Sequence, residues 1–305
     1  MKTLVAYDGS TCADAAIADL RNAGLPIENA VLVVTVAHNG WPPSKHSSAE
    51  LGEFGNPWNA LMADTGRIAA EAAARIQAEF PAWKVSSEAL WGSPPDIIKK
   101  TIEHWRPDLL VVGSHGRSAV GRLFLGSVSL DLVHQARCSV RVVRPDADLH
   151  IGPPRILVAS DGSSDADNAL TAVTRRCWPA GTQVRLASIV QTFVPAPVLV
   201  PALETNTFVT EPAFEVIQAA DKRERERLRT VAHGAALILK TAGLDASAIL
   251  LDGLPWKELV GEAERWHANA IFVGARGLGP MDRLLLGSVS TAVLTHAHCS
   301  VEVVR

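Results

Sequence analysis

The sequence predicts an α/β protein made of two tandem domains, each a doubly wound parallel sheet with helices on both faces. Three observations predict it. A length of 305 residues suits about two domains. Each half alternates short apolar runs with helical stretches, the pattern of parallel strands joined by right-handed crossovers. The two halves are also copies of one another. Gly92–Arg144 aligns without gaps on Gly253–Arg305 at a constant offset of 161, and Thr3–Ser10 (TLVAYDGS) matches Ile156–Ser163 (ILVASDGS) at an offset of 153. The second half therefore carries a net insertion of eight residues between its first strand and its third. The expected domains are residues 1–144 and 155–305, joined over 145–154 by a polar, proline-bearing linker (PDADLHIGPP).

Each element has its own justification. Strands are expected at Thr3–Tyr7, Ala30–Ala37, Lys84–Leu90, Asp108–Val112 and Ser139–Val143, because near-continuous apolar runs suit strands covered on both faces. Helices are expected at Cys12–Asn22, Asn59–Phe80, Pro94–Trp105 and Ser127–Gln135. Ser10 is the N-cap candidate of the first, with Asp14 in its first turn near the positive helix end. Pro94 and Pro95 suit a helix start, where proline's missing N–H costs nothing. After the second strand of each half comes a long irregular stretch, Asn39–Trp58 and Gln191–Pro212, expected to act as a flap on the ligand side. The run Asp221–Arg229 (DKRERERLR) mixes signs at helical spacing and reads as a solvated helix face. The terminal runs SVRVVR and SVEVVR would leave apolar sheet edges, which usually find a partner. The two halves are expected to pair through these strands, with a further homodimer.

Composition narrows the function classes. With 48% hydrophobic and 20% charged residues and a formal net charge of −3, nothing in the balance points to nucleic acid or an anionic membrane. No apolar run is long enough to span a bilayer, and no signal-peptide core follows Met1. Cys12, Cys138, Cys177 and Cys299 lack CxxC or zinc spacing, so a reduced, cytoplasmic setting is expected and no metal site. Cys138 and Cys299 occupy matched places and read as small buried hydrophobes.

The chemistry lies in a loop that occurs twice, GSHGRSAVGRLFLGS (113–127) and GARGLGPMDRLLLGS (274–288). Each copy leaves an apolar strand and runs into a helix. Gly113 and Gly116, like Gly274 and Gly277, let the backbone approach a ligand closely and aim several N–H groups at one anion. Gly126-Ser127 and Gly287-Ser288 then open helices whose free N–H groups favour phosphate oxygens. Asp8 and Asp161, at the ends of the first strands, are placed to accept hydrogen bonds from ribose hydroxyls if strands one and four are neighbours at the switch point.

These residues resemble the universal stress protein family, in its ATP-binding branch. The signature G-x2-G-x9-G-[S/T] is met by Gly113/Gly116/Gly126/Ser127 and by Gly274/Gly277/Gly287/Ser288, and the resemblance covers nearly all of both halves. It implies an open, Rossmann-like parallel sheet with strand order 3-2-1-4-5 in each half. It also implies ATP as ligand, with or without magnesium, and a stress-response regulator or sensor that acts on an unknown protein partner. Asp8 and Asp161 would contact the ribose, and Val36 and Ile189 the adenine by backbone. Val112, Val128, Val273 and Val289 would flank the phosphate loops. The copies differ where Ala275-Arg276 replaces Ser114-His115 and Gly279-Pro280 replaces Ala119-Val120, so equal affinity at the two sites is not expected.

No catalytic residue is assigned. Neither loop ends in the Gly-Lys-[Ser/Thr] of a P-loop, and there is no GxSxG or HExxH. His115 has no counterpart in the second loop, where Arg276 stands. The sequence supports binding without demonstrating turnover. A slow ATPase, or another adenine-nucleotide-processing enzyme, and a cyclic AMP binder remain the alternatives.

Overall fold

A computed structural model describes residues 1–39, 57–116, 125–145, 152–191, 211–277 and 286–305. The central portions of both flap candidates, the loop residues 117–124 and 278–285 (with Ala119-Val120 and Gly279-Pro280), and linker residues 146–151 lie outside the described residues.

The first half runs β1 (Lys2–Ala6), α1 (Thr11–Ala18) with a 3-10 turn at Asp19–Asn22, β2 (Ala30–Ala37), α2 (Pro57–Glu79), β3 (Lys84–Trp91), α3 (Pro94–Trp105), β4 (Leu109–Gly113), α4 (Ser127–Gln135) and β5 (Ser139–Val143). The second half repeats it with β6 (Arg155–Ala159), α5 (Ser164–Thr174), β7 (Gln183–Val190), α6 (Glu211–Thr241), β8 (Asp245–Asp252), α7 (Pro255–Arg265), β9 (Ala270–Gly274), α8 (Ser288–His296) and β10 (Ser300–Val304). Expected and observed boundaries differ by no more than a residue or two, apart from the last turn of the first helix, which tightens to 3-10 form. The eight-residue insertion lies in a helix. α6 has 31 residues where α2 has 23, so it is two turns, about 12 Å, longer.

All ten strands join one sheet in the order β3-β2-β1-β4-β5-β10-β9-β6-β7-β8. Within each half the order is 3-2-1-4-5 and every pairing is parallel. The terminal strands meet antiparallel, with Val142 opposite Val301, Arg141 opposite Glu302 and Val140 opposite Val303. This is the pairing the apolar edges called for. Because it reverses strand direction, the carboxyl edges of the two halves lie on opposite rims of the sheet.

One face of the whole sheet buries a single apolar core. Leu4, Val112 and Val142 of the first half share it with Leu157, Val273 and Val301 of the second, beneath Ile98, Leu132, Leu259 and Val293 from helices α3, α4, α7 and α8. On the other face each half has its own core, under α1 and α2 and under α5 and α6. Between those two cores lies a buried cluster of charge. Arg141 donates through Nε to Asp19 Oδ2 at 2.7 Å and through Nη1 to Glu302 Oε2 at 3.3 Å. Arg176 donates to both oxygens of Glu302, and Ser300 Oγ donates to Asp19 Oδ2 at 3.0 Å. Each half brings one acid and one base, so the cluster is neutral, as burial of charge requires.

Candidate functional site

β1 and β4 are neighbours, so the switch point falls where expected and Asp8 meets the glycine loop. The Asp-Gly-Ser turn is built the same way in both halves. Gly9 and Gly162 sit at φ 73° and 78°, a left-handed conformation that glycine adopts at no steric cost. Ser10 N–H donates to Asp8 Oδ1 and Ser163 N–H to Asp161 Oδ1, each at 2.9 Å. Ser10 Oγ then caps α1 by accepting from Ala13 N–H, as Ser163 Oγ caps α5 from Ala166 N–H, each at 3.2 Å. One oxygen of each aspartate is thereby fixed. The other faces the second glycine of the loop, and a Cβ at Gly116 or Gly277 would lie 2.8 Å from Asp8 Oδ2 or Asp161 Oδ2. A larger residue there would have to displace that carboxylate.

The described ends of the loops are closed by matched bonds. Ser114 N–H donates to Val143 O at 2.7 Å and Gly126 N–H to Ser114 O at 2.7 Å; Ala275 N–H donates to Val304 O at 3.0 Å and Gly287 N–H to Ala275 O at 2.8 Å. Ser129 Oγ ties Gly113 O, and Ser290 Oγ ties Gly274 O, each at 2.7 Å. Gly126 and Gly287 are the N-caps of α4 and α8 and offer no capping side chain. The first-turn N–H groups of both helices are therefore left for another acceptor.

In the first half these parts enclose a cavity of about 490 Å³. Asp8, Val36, Val112, Gly113, Gly116, Gly126, Ser127 and Val128, all eight first-half residues selected from sequence, line it. Its walls also include Tyr7, His38, Pro94, Ile98, His115 and Leu132, none of which was selected as a site residue. Tyr7 donates its hydroxyl to Asp14 Oδ1 at 2.7 Å, and Arg75 Nη1 donates to the same oxygen at 2.6 Å. Burial, reinforced by the Asp14 carboxylate, pushes the Tyr7 phenol up to about 12, so it remains a neutral donor. The cavity combines an apolar wall, a carboxylate and a row of backbone N–H groups. That is the donor set for a flat ring, a diol and an anion.

The second half assembles the same skeleton with different side chains. Asp161, Val273, Gly274, Gly277, Gly287, Ser288 and Val289 stand at the corresponding strand end, loop and helix start, and Ile189 lies near the end of β7. Asp165, in the place of Cys12, forms a two-point ion pair with Arg276, in the place of His115, at 3.0 and 3.3 Å. Arg227 on the lengthened α6 donates to Asp161 O at 3.1 Å. The loop substitution was legible in the alignment of the halves. Its partner was not, because Asp165 lies 111 residues away. Among the described residues no cluster of three or more His, Cys, Asp or Glu could hold a metal ion.

Comparison with known proteins agrees with this architecture. The universal stress protein family model matches residues 1–144 and again 153–305. Universal stress protein Rv2005c of Mycobacterium tuberculosis is 29% identical over 309 aligned positions, covering 98% of this chain and 92% of that protein. Universal stress protein YxiE of Bacillus subtilis is 30% identical over half of this chain and 98% of its own length. Among solved structures, a universal stress protein from Archaeoglobus fulgidus superposes with a TM-score of 0.60 at 21% identity, covering 100% of this chain and 96% of that one. A functionally unknown protein of Pseudomonas aeruginosa, PA1789, gives 0.62 at 14%, covering 99% and 92%. These structural likenesses speak to the fold alone. With both halves matched by the family model, the chain belongs to the universal stress protein family and carries two tandem copies of its domain.

Proposed function

We propose that the protein is an ATP-binding regulator of the stress response, with the nucleotide held in the first-half cavity. One observation carries the reading: eight residues chosen from sequence for nucleotide chemistry converge on a single cavity large enough for a nucleoside and its phosphates. In this reading Asp8 accepts from the ribose and the backbone near Val36 meets the base. The N–H groups of the loop and of α4 receive the phosphates, alone or with magnesium. The second half offers an equivalent skeleton in which Arg276 is already engaged by Asp165, so its affinity for ATP is lower.

The test is mass spectrometry of nucleotide released from the purified protein, followed by calorimetric titration with ATP and with cyclic AMP. Bound or titratable ATP at one or two sites per chain is expected. Absence of nucleotide together with no thermal shift on adding ATP would overturn the reading, and steady release of ADP would turn it into an ATPase. The free cysteines suit a cytoplasmic setting. The proposal includes a homodimer and a protein partner that reads the nucleotide state. Since β5 and β10 cover one another, a second copy must use another surface, and a clean monomer by light scattering at micromolar concentration would remove the homodimer.

A further inference from the structure

Helices α4 and α8 end without a glycine cap. Ala136 and Ala297 follow them in extended conformation, at ψ 141° and 142°, and each closes only one helical bond, to Leu132 O and Val293 O. The next carbonyls are therefore left over in a largely buried setting. They are met by arginines from the opposite half. Arg305, just after β10, donates through Nη2 to Val133 O at 2.7 Å and His134 O at 3.3 Å, both in α4. Arg144, just after β5, donates through Nη2 to Leu294 O at 2.6 Å and Thr295 O at 3.0 Å, both in α8. The antiparallel pairing makes this reciprocal. The carboxyl end of β5 lies beside the amino end of β10, where α8 terminates, and the converse holds for β10 and α4.

These are the two helices whose uncapped N-termini form the phosphate ends of the sites. Each has nine residues, too short to be stable without its contacts. We infer that Arg305 and Arg144 are positioning residues that hold the phosphate helix of the opposite half, so that each nucleotide site depends on an arginine of the other domain. The inference rests on the nucleotide reading above. A guanidinium at the last turn satisfies two carbonyls, complements the helix dipole and prevents fraying. Without it the first-turn N–H groups lose their fixed place.

The test uses the full chain with one site blocked at a time. Gly277→Glu leaves the first-half site and Gly116→Glu the second. In the Gly277→Glu background, Arg305→Gln is expected to weaken ATP binding by roughly three- to tenfold and Arg144→Gln to leave it unchanged. In the Gly116→Glu background the two arginines exchange roles. Arg305→Lys should restore part of the loss. Amide hydrogen exchange should rise in 127–135 for Arg305→Gln and in 288–296 for Arg144→Gln. Equal weakening of both sites, weakening confined to the arginine's own half, or unchanged affinity and exchange would each overturn the inference. An unsubstituted chain that binds no ATP overturns the nucleotide reading instead, a result distinct from normal binding indifferent to either arginine.

Discussion

Gly116 shows how little room the site leaves at a single position. A Cβ there would press on Asp8 Oδ2, and a glutamate would add a second negative charge where phosphates are expected. Gly116→Glu should therefore reduce ATP affinity of the first half by at least tenfold, measured by calorimetry in a chain that remains folded by circular dichroism. Retained affinity would remove phosphates from that loop. The cysteines make a second residue-scale case. Cys12, Cys138 and Cys299 are buried and Cys177 is exposed. Burial pushes the Cys138 thiol up to about 11 and the Cys299 thiol up to about 12, so at pH 8 neither supplies thiolate. Native alkylation at pH 8 should modify one cysteine, Cys177, and denatured alkylation all four. Rapid native labelling of Cys138 or Cys299 would contradict their burial.

Among the elements, what was legible in sequence was what local chemistry determines. Apolar runs located the strands, Ser10 and Pro94 marked helix starts, and the offset between halves located an insertion that proves to be two extra turns of α6. The charge run Asp221–Arg229 is in α6 as expected, with pairs at Asp221–Arg225 and Glu224–Arg227. Pairing of β5 with β10 followed from their apolar edges. Its charge partners did not, because Asp19, in the 3-10 turn after α1, and Arg176, in the loop after α5, are each more than a hundred residues from the strand residue they pair with. At Arg141 and Glu302 the two halves, otherwise copies, carry opposite charges directly across the strand pair. Pairing of two first halves in this register would bury arginine against arginine, so the sign difference favours the union of unlike halves. Glu302→Gln leaves Arg141 and Arg176 with an uncompensated buried charge and should cost about 3–5 kcal/mol, read by urea denaturation. A loss below about 1 kcal/mol would mean that water reaches the cluster.

For the whole molecule the decisive fact is that the shared core crosses the domain boundary. Two sheets touching only at an edge would unfold as two bodies, since inter-domain contacts of ordinary size leave domains independent. Here the backbone ladder is continuous through β5 and β10, and Leu4 and Leu157, one from each half, belong to one buried cluster beneath four helices. Arg144 and Arg305 each cap a helix of the other half, and in the charge cluster Arg141 of the first half pairs with Glu302 of the second. Opening the junction would therefore expose apolar area, orphan four carbonyls and separate buried ions in a single event. Differential scanning calorimetry should show one transition, with calorimetric and van't Hoff enthalpies agreeing. Glu302→Gln should lower that transition by roughly 5–8 °C without splitting it. Two resolved transitions in the unsubstituted chain would mean that the halves fold independently and that the junction is a contact surface rather than part of the core.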